Sequence, residues 1–223
     1  MRLNRFENFI YLKKLNESKN DIDSLCKKYR IDNYTINDDG SIDVNGNVDL
    51  SSKKLMKLPL TFKHVSGNFY CENNQLTTLE GSPKTVGGYF YCNNNQLTSL
   101  EGSPNSVGGS FWCNSNQLTT LSGSPRTVGG NFWCHNNQLR DVNGFPERFY
   151  GEEIDINNNP VKEIFDIFPE EKWVELPECL NEYEVIKGKW IIFLGLEECF
   201  YDLGLEVPPE GLENKKFNNY EIR

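Results

Sequence analysis

Between Val65 and Pro146 the chain writes one phrase four times: Val-x-Gly-x-Phe-x-Cys-x-x-Asn-Gln-Leu-Thr-x-Leu-x-Gly-x-Pro, with small variations. Cys71, Cys92, Cys113 and Cys134 mark its period of 21 residues. Self-similarity at a fixed period of this size is the signature of a solenoid and has to be read before any local motif. A single copy cannot bury its own apolar face, so the copies must stack and share one core. In each copy the Phe and Cys positions alternate with the residues around them, as on a strand with one face inward and one outward.

The array extends beyond these four copies. Val44, Val48, Leu50, Leu55 and Leu58 stand where the next copy has Val65, Phe69, Cys71, Leu76 and Leu79, which gives a degenerate first unit starting near residue 42. Phe149, Ile154, Ile156, Asn159, Val161 and Ile164 make a last unit with one extra residue. That predicts six strand-bearing units. The inward Phe and Cys positions should form ladders, and Asn74, Asn95, Asn116, Asn137 and Asn159 should satisfy the backbone at the corner after each strand. Lys53 replaces this Asn in the first unit, so that corner should be looser. The Gly-Gly pairs and Pro83, Pro104, Pro125 and Pro146 shape a return path of short extended segments.

Phe90-x-Cys92-x-x-Asn95-x-Leu97 fills the last four fixed places of the pattern Leu-x-x-Leu-x-Leu-x-x-Asn-x-Leu, and the chain thus resembles a leucine-rich repeat protein over roughly residues 42 to 168. Runs such as Asn-Gln-Leu-Thr-Ser-Leu-Glu-Gly-Ser-Pro resemble the leucine-rich-repeat-like proteins of tailed-phage and bacterial genomes. The resemblance implies an α+β repeat solenoid: a curved leucine-rich-repeat array with a parallel β-sheet on its concave face, a mostly non-helical convex side and helical N- and C-terminal caps. It also implies a protein that binds other molecules, without saying which.

The flanks read as caps. In residues 1–41 the apolar positions Ile22, Leu25, Cys26 and Tyr29 form a helical stripe, with Ser18 or Asn20 as candidate N-caps. Phe6, Phe9, Ile10 and Leu12 make a weaker amphipathic stretch. Tyr34 to Val44 reads as a hairpin turning at Asp39-Gly40. A calcium loop centred on Gly40 lacks both key carboxylates, since Thr35 and Gly46 fall at its first and twelfth places. The solenoid occupies 42–168. In 169–223 the stretches Glu170 to Ile186 and Trp190 to Leu203 read as two helices separated by Lys187-Gly188, with Phe217 to Ile222 as a short strand. Trp173, Val174, Leu180, Ile191, Ile192, Leu194 and Phe200 supply apolar surface for packing on the last unit.

A net charge of -9 argues against a sequence-independent grip on nucleic acid. Residues 1–30 carry eight Lys/Arg against four Asp/Glu, and residues 170–223 carry six against thirteen, so the two ends face different surroundings. No apolar run reaches the roughly 18 residues of a membrane span, and Glu7, Lys13 and Lys14 break any signal-like segment at the start. The seven cysteines are one repeat position plus three scattered residues. Together these features suggest a cytoplasmic protein of a reducing compartment, or a virion component if the chain is phage-encoded.

No catalytic set stands out. His64 and His135 lie in no metalloprotease motif, no Cys or Ser sits in a nucleophile motif, and the cysteine ladder lacks the paired spacing of a zinc site. Small hydrophobes filling one core column is the simpler reading of the cysteines. No cofactor or metal is expected, and the chain reads as non-enzymatic.

The feature that remains is the residue between Phe and Cys. Across six units it is Asp49, Tyr70, Tyr91, Trp112, Trp133 and Asp155. Beside it run Asn68, Tyr89, Ser110 and Asn131 on one side, and Glu72, Asn93, Asn114 and His135 on the other. Aromatic columns stabilise a sheet by themselves. Tyr and Trp on a face rimmed by polar groups also match the composition of a binding hot spot. Asp49, Tyr70, Tyr91, Trp112, Trp133, Asn131, His135 and Asp155 are therefore the candidate partner-binding residues. The expected ligand is a protein. A glycan stacking on the rings and a structural role in virion assembly are the alternatives.

Overall fold

The structure is a computed structural model that describes residues 18–205, 212 and 216–222. It is a parallel β-solenoid, and each turn of about 21 residues contributes a strand to each of two sheets. The first sheet has seven strands: β1 (Tyr34–Ile36), β2 (Ile42–Val44), β4 (Phe62–Val65), β6 (Thr85–Val86), β8 (Ser106–Val107), β10 (Thr127–Val128) and β12 (Arg148–Phe149). The second has six: β3 (Val48–Asp49), β5 (Phe69–Tyr70), β7 (Phe90–Tyr91), β9 (Phe111–Trp112), β11 (Phe132–Trp133) and β13 (Ile154–Asp155).

The predicted degenerate units fall in register with the rest. Val48 pairs with Phe69 at one end and Phe132 with Ile154 at the other, while Val44 pairs with Val65 and Val128 with Phe149. The first sheet is an addition to the sequence reading. Its strands lie in the Thr/Ser-Val pair before the glycines, too short for period-2 patterning to announce them, and they form the return side expected to be merely extended.

Both sheets face one core. Phe69, Phe90, Phe111 and Phe132 are fully buried and stack at centroid distances of 5.4, 5.5 and 5.4 Å. The four repeat cysteines and Leu76, Leu97, Leu118 and Leu139 form further columns with no exposed area. Each strand is only two to four residues long and would have no stability alone. Its neighbours above and below supply the pairing and the packing.

The corner Asn ladder stitches the turns together. Asn95 Oδ1 accepts the Leu76 N–H at 2.9 Å, while its Nδ2 donates to the Cys71 and Cys92 carbonyls at 3.0 and 3.1 Å. The same three bonds recur at Asn137 and, shifted by one residue in length, at Asn159. The first corner does differ: Lys54 joins Ser52 in the left-handed region, and Leu55 is only half-buried where its counterpart Leu76 is fully buried. The first glycine of each Gly-Gly pair is set by contact. A Cβ on Gly108 would lie 2.2 Å from the Gly87 carbonyl oxygen one turn back.

Residues 18–29 form helix α1, which buries Ile22 and Cys26 and half-buries Leu25 and Tyr29. Ser18 and Asn20 lie inside this helix rather than capping it. Its end is a left-handed Arg30, with Ile31 N–H bonded to the Cys26 carbonyl at 2.9 Å. The weaker stretch at Phe6, Phe9, Ile10 and Leu12 lies outside the described residues. The hairpin of β1 and β2 is antiparallel, as Asp39-Gly40 implied. The Asp39 carboxylate accepts from Ser41 N and Oγ at 3.0 and 2.6 Å, so it serves the turn.

The C-terminal cap departs from two helices. After α2 (Lys162–Phe165) come a 3₁₀ turn at Glu170–Lys172, α3 (Leu176–Glu182), a hairpin of β14 (Ile186–Lys187) and β15 (Trp190–Ile191), then α4 (Phe193–Asp202). Gly188 turns the hairpin with φ +63, and the β-branched run Val185-Ile186 and Ile191-Ile192 on either side overrides the helical pattern. β16 (Glu221–Ile222) pairs with β15, within the stretch expected to be a strand. Leu194 is 68% exposed and does not pack. Cys179 and Cys199 are disulfide-paired with Cα atoms 5.6 Å apart, a pairing that the sequence reading did not foresee, while the four ladder cysteines are free and buried as expected. No helix among the described residues is long and apolar enough to cross a membrane.

Candidate functional site

The second sheet lines up the predicted column. The strand pairings place Asp49, Tyr70, Tyr91, Trp112, Trp133 and Asp155 side by side. Their position follows from the inward Phe and Cys on either side: once those are buried, the residue between them can only face outward. The four aromatics are half-buried rather than fully exposed.

Their rings lean on one another. Tyr70 and Tyr91 stack at 5.1 Å and 13°, Tyr91 and Trp112 tilt at 5.4 Å and 32°, and Trp112 and Trp133 stack at 4.5 Å and 8°. Ring faces inside the column are covered by neighbouring rings, and the surface is built from ring edges. An edge carries the positive part of the aromatic quadrupole. It suits contact with carbonyl oxygens and other rings and leaves little face for a sugar to stack on.

The column ends in carboxylates. Asp49 Oδ1 accepts from Ser51 N and Oγ at 2.9 and 2.7 Å, and these bonds draw its carboxyl below the usual range. Asp155 Oδ1 accepts from Asn157 N and Nδ2 at 3.0 and 2.9 Å. His135 Nδ1 lies 2.8 Å from Asp155 Oδ2 but without the alignment of a hydrogen bond.

The row beside the aromatics, on the Cys side, holds polar atoms without partners. Glu72 Oε2, Asn93 Oδ1 and Asn114 Oδ1 are buried and make no hydrogen bond within the chain. Burial first, and the Asp49 charge to a smaller degree, push the Glu72 carboxyl up. Such atoms cost stability and are expected to find partners. The opposite row does the reverse. Asn68 Oδ1 accepts the Tyr89 N–H at 2.8 Å, Ser110 Oγ the Asn131 N–H at 3.0 Å, and Asn131 Oδ1 the Glu152 N–H at 3.2 Å. Asn131 therefore spends its acceptor on the backbone of the next turn.

A recess lies where the column meets the cap. It measures about 250 Å³ and is lined by Glu152, Glu153, Ile154, Asp155 and Asn157 of the last unit and by Glu170, Trp173 and Val174 of the cap. Trp173 and Val174 were expected only to pack. The sequence signal for this recess was the loss of the repeat at Pro169, which leaves β13 without a successor. Among the described residues no group of three or more His, Cys, Asp or Glu side chains could hold a metal ion.

These features define a repeat solenoid that presents an aromatic and polar sheet face. No family model, curated protein or solved structure matches the chain.

Proposed function

We propose that the chain is a non-enzymatic binding module whose six-stranded sheet holds a protein partner against the Tyr70–Tyr91–Trp112–Trp133 column. The observation that carries this reading is the outward column of four stacked rings, whose edges form one apolar surface between Asp49 and Asp155. Apolar contact at the ring edges excludes water, and the polar rows on either side form its rim, the arrangement of an interface centre. The mutual cover of the ring faces favours a protein over a glycan. The Asn-x-Leu corners support a place among leucine-rich repeat proteins, and the phage-like copies support a virus-encoded protein at work in a bacterial cytoplasm.

The test compares proteins captured from a cell lysate by the wild-type chain and by Trp112→Ala/Trp133→Ala, with circular dichroism to verify the fold. The double variant loses at least one partner. Retention of every captured protein by a folded double variant refutes the sheet-face reading. Tryptophan fluorescence stays flat on titration with oligosaccharides, and a saturable change would reinstate the glycan.

A further inference from the structure

The second sheet ends at β13, and among the described residues no strand follows it. Every earlier strand hands its hydrogen bonds forward. Phe111 and Cys113 donate to the Asn131 and Trp133 carbonyls, both at 2.9 Å, and Phe132 and Cys134 donate to the Glu153 and Asp155 carbonyls at 3.1 and 2.9 Å. Ile154 and Ile156 occupy the same two places in the last unit, so their N–H groups point to where a next strand would lie. Ile154 forms one wall of the 250 Å³ recess, and Glu170 and Trp173 of the cap stand across it. The cap thus stands off this edge at Ile154. An open sheet edge is a ready template for another strand.

The charge around the edge states what that strand carries. Glu152, Glu153, Asp155 and Glu170 surround the recess. None of the ion pairs among the described residues takes Glu152, Glu153 or Glu170. Lys162, which lies over the Trp173 ring at 4.4 Å, is paired with Asp166. The carboxylates do not converge as metal ligands do. They lie on both the β13 side and the cap side of the recess, where basic side chains of an extended polypeptide can meet them.

We propose that the β13 edge docks an extended, basic peptide segment of a protein partner, which adds to the second sheet as a seventh strand. Main-chain bonds to Ile154 and Ile156 supply the affinity, and Lys or Arg side chains meeting Glu152, Glu153 and Glu170 supply the selection. The site adjoins the aromatic column at Asp155, and its test reads Ile154 and Ile156 rather than Trp112 and Trp133.

The test uses the full chain and a capped Lys-Val-Lys-Val-Lys-Val-Lys peptide, with amide hydrogen exchange read by nuclear magnetic resonance. Exchange at Ile154 and Ile156 slows at least about tenfold on saturation, since each amide gains a hydrogen bond. A peptide with alternate backbone nitrogens methylated, on the edge-facing side, binds about tenfold more weakly. Glu153→Gln and Glu170→Gln each weaken binding about two- to fivefold at low salt. The proposal is overturned if the peptide does not bind, if it binds without protecting Ile154 and Ile156, or if the methylated peptide binds equally well.

Discussion

Replacing Asn95 with Ala removes one rung of the corner ladder, and its cost can be assembled bond by bond. The buried Leu76 N–H loses its acceptor at 2.9 Å, and an orphaned buried donor costs about 1–3 kcal/mol. The Cys71 and Cys92 carbonyls each lose one donor but keep another, from Asn74 and Asn116 at 3.1 Å. Each of those losses is worth only about 0.5–1.5 kcal/mol. The sum is about 2–6 kcal/mol, a large part of the roughly 5–15 kcal/mol that holds a domain together. Asn74→Ala is the internal control. Asn74 makes an equivalent set of bonds but serves the half-exposed first corner, accepting from Lys53 N and Leu55 N where water can replace it. It should cost about half as much. Urea titration followed by far-ultraviolet circular dichroism measures both. A cost for Asn95→Ala below about 1 kcal/mol, or one no larger than that of Asn74→Ala, refutes the argument that burial makes these side chains structural.

Gly108→Ala drives a methyl against the Gly87 carbonyl at 2.2 Å and should cost about 3 kcal/mol or more by urea titration. An effect within about 0.5 kcal/mol would mean the turns can spread. Burial pushes the Cys71, Cys92, Cys113 and Cys134 thiols above their ordinary value of 9.0. The unfolded chain therefore ionises first, so stability is full below about pH 9 and declines as pH rises above it. Unfolding midpoints at pH 8 and pH 10 check this, and Cys113→Ala should flatten the decline. Glu72→Gln removes a carboxyl whose folded form is reluctant to ionise. It should raise the unfolding midpoint at pH 7 and leave it unchanged at pH 3, where Glu72 is already neutral. A lowered midpoint at pH 7 would show that the charge is stabilised by a contact.

The solenoid was legible because Phe, Cys, Leu and Asn recur at fixed places, and each such recurrence is a column in space. The same logic places Asp49 to Asp155 on one face from spacing alone. It could not foresee how the rings lie on one another, since ring orientation depends on side-chain packing and not on spacing. Beyond the β1–β2 hairpin the first sheet escaped, because β6, β8, β10 and β12 are two residues long and sit beside residues that signal turns. In the cap no repeat averages out local ambiguity. There Ile186 to Ile192 reads equally as a buried helix segment or as a hairpin until Gly188 commits it. The Cys179–Cys199 pair was invisible for the same reason, as nothing in the spacing of two single cysteines says that α3 and α4 bring them together.

The strict register of the turns has a consequence for how this molecule can change. Tyr70 pairs with Tyr91 and Val86 with Val107, both 21 residues along. Excising residues 87–107 would therefore join two identical junctions, leaving both caps and every remaining pairing intact. The sheet face is a ruler graduated in steps of about 4.8 Å, lengthened or shortened one mark at a time. A lineage carrying this gene can tune the reach of its surface by duplication or loss of a single 63-nucleotide block, then edit the letter at each mark independently.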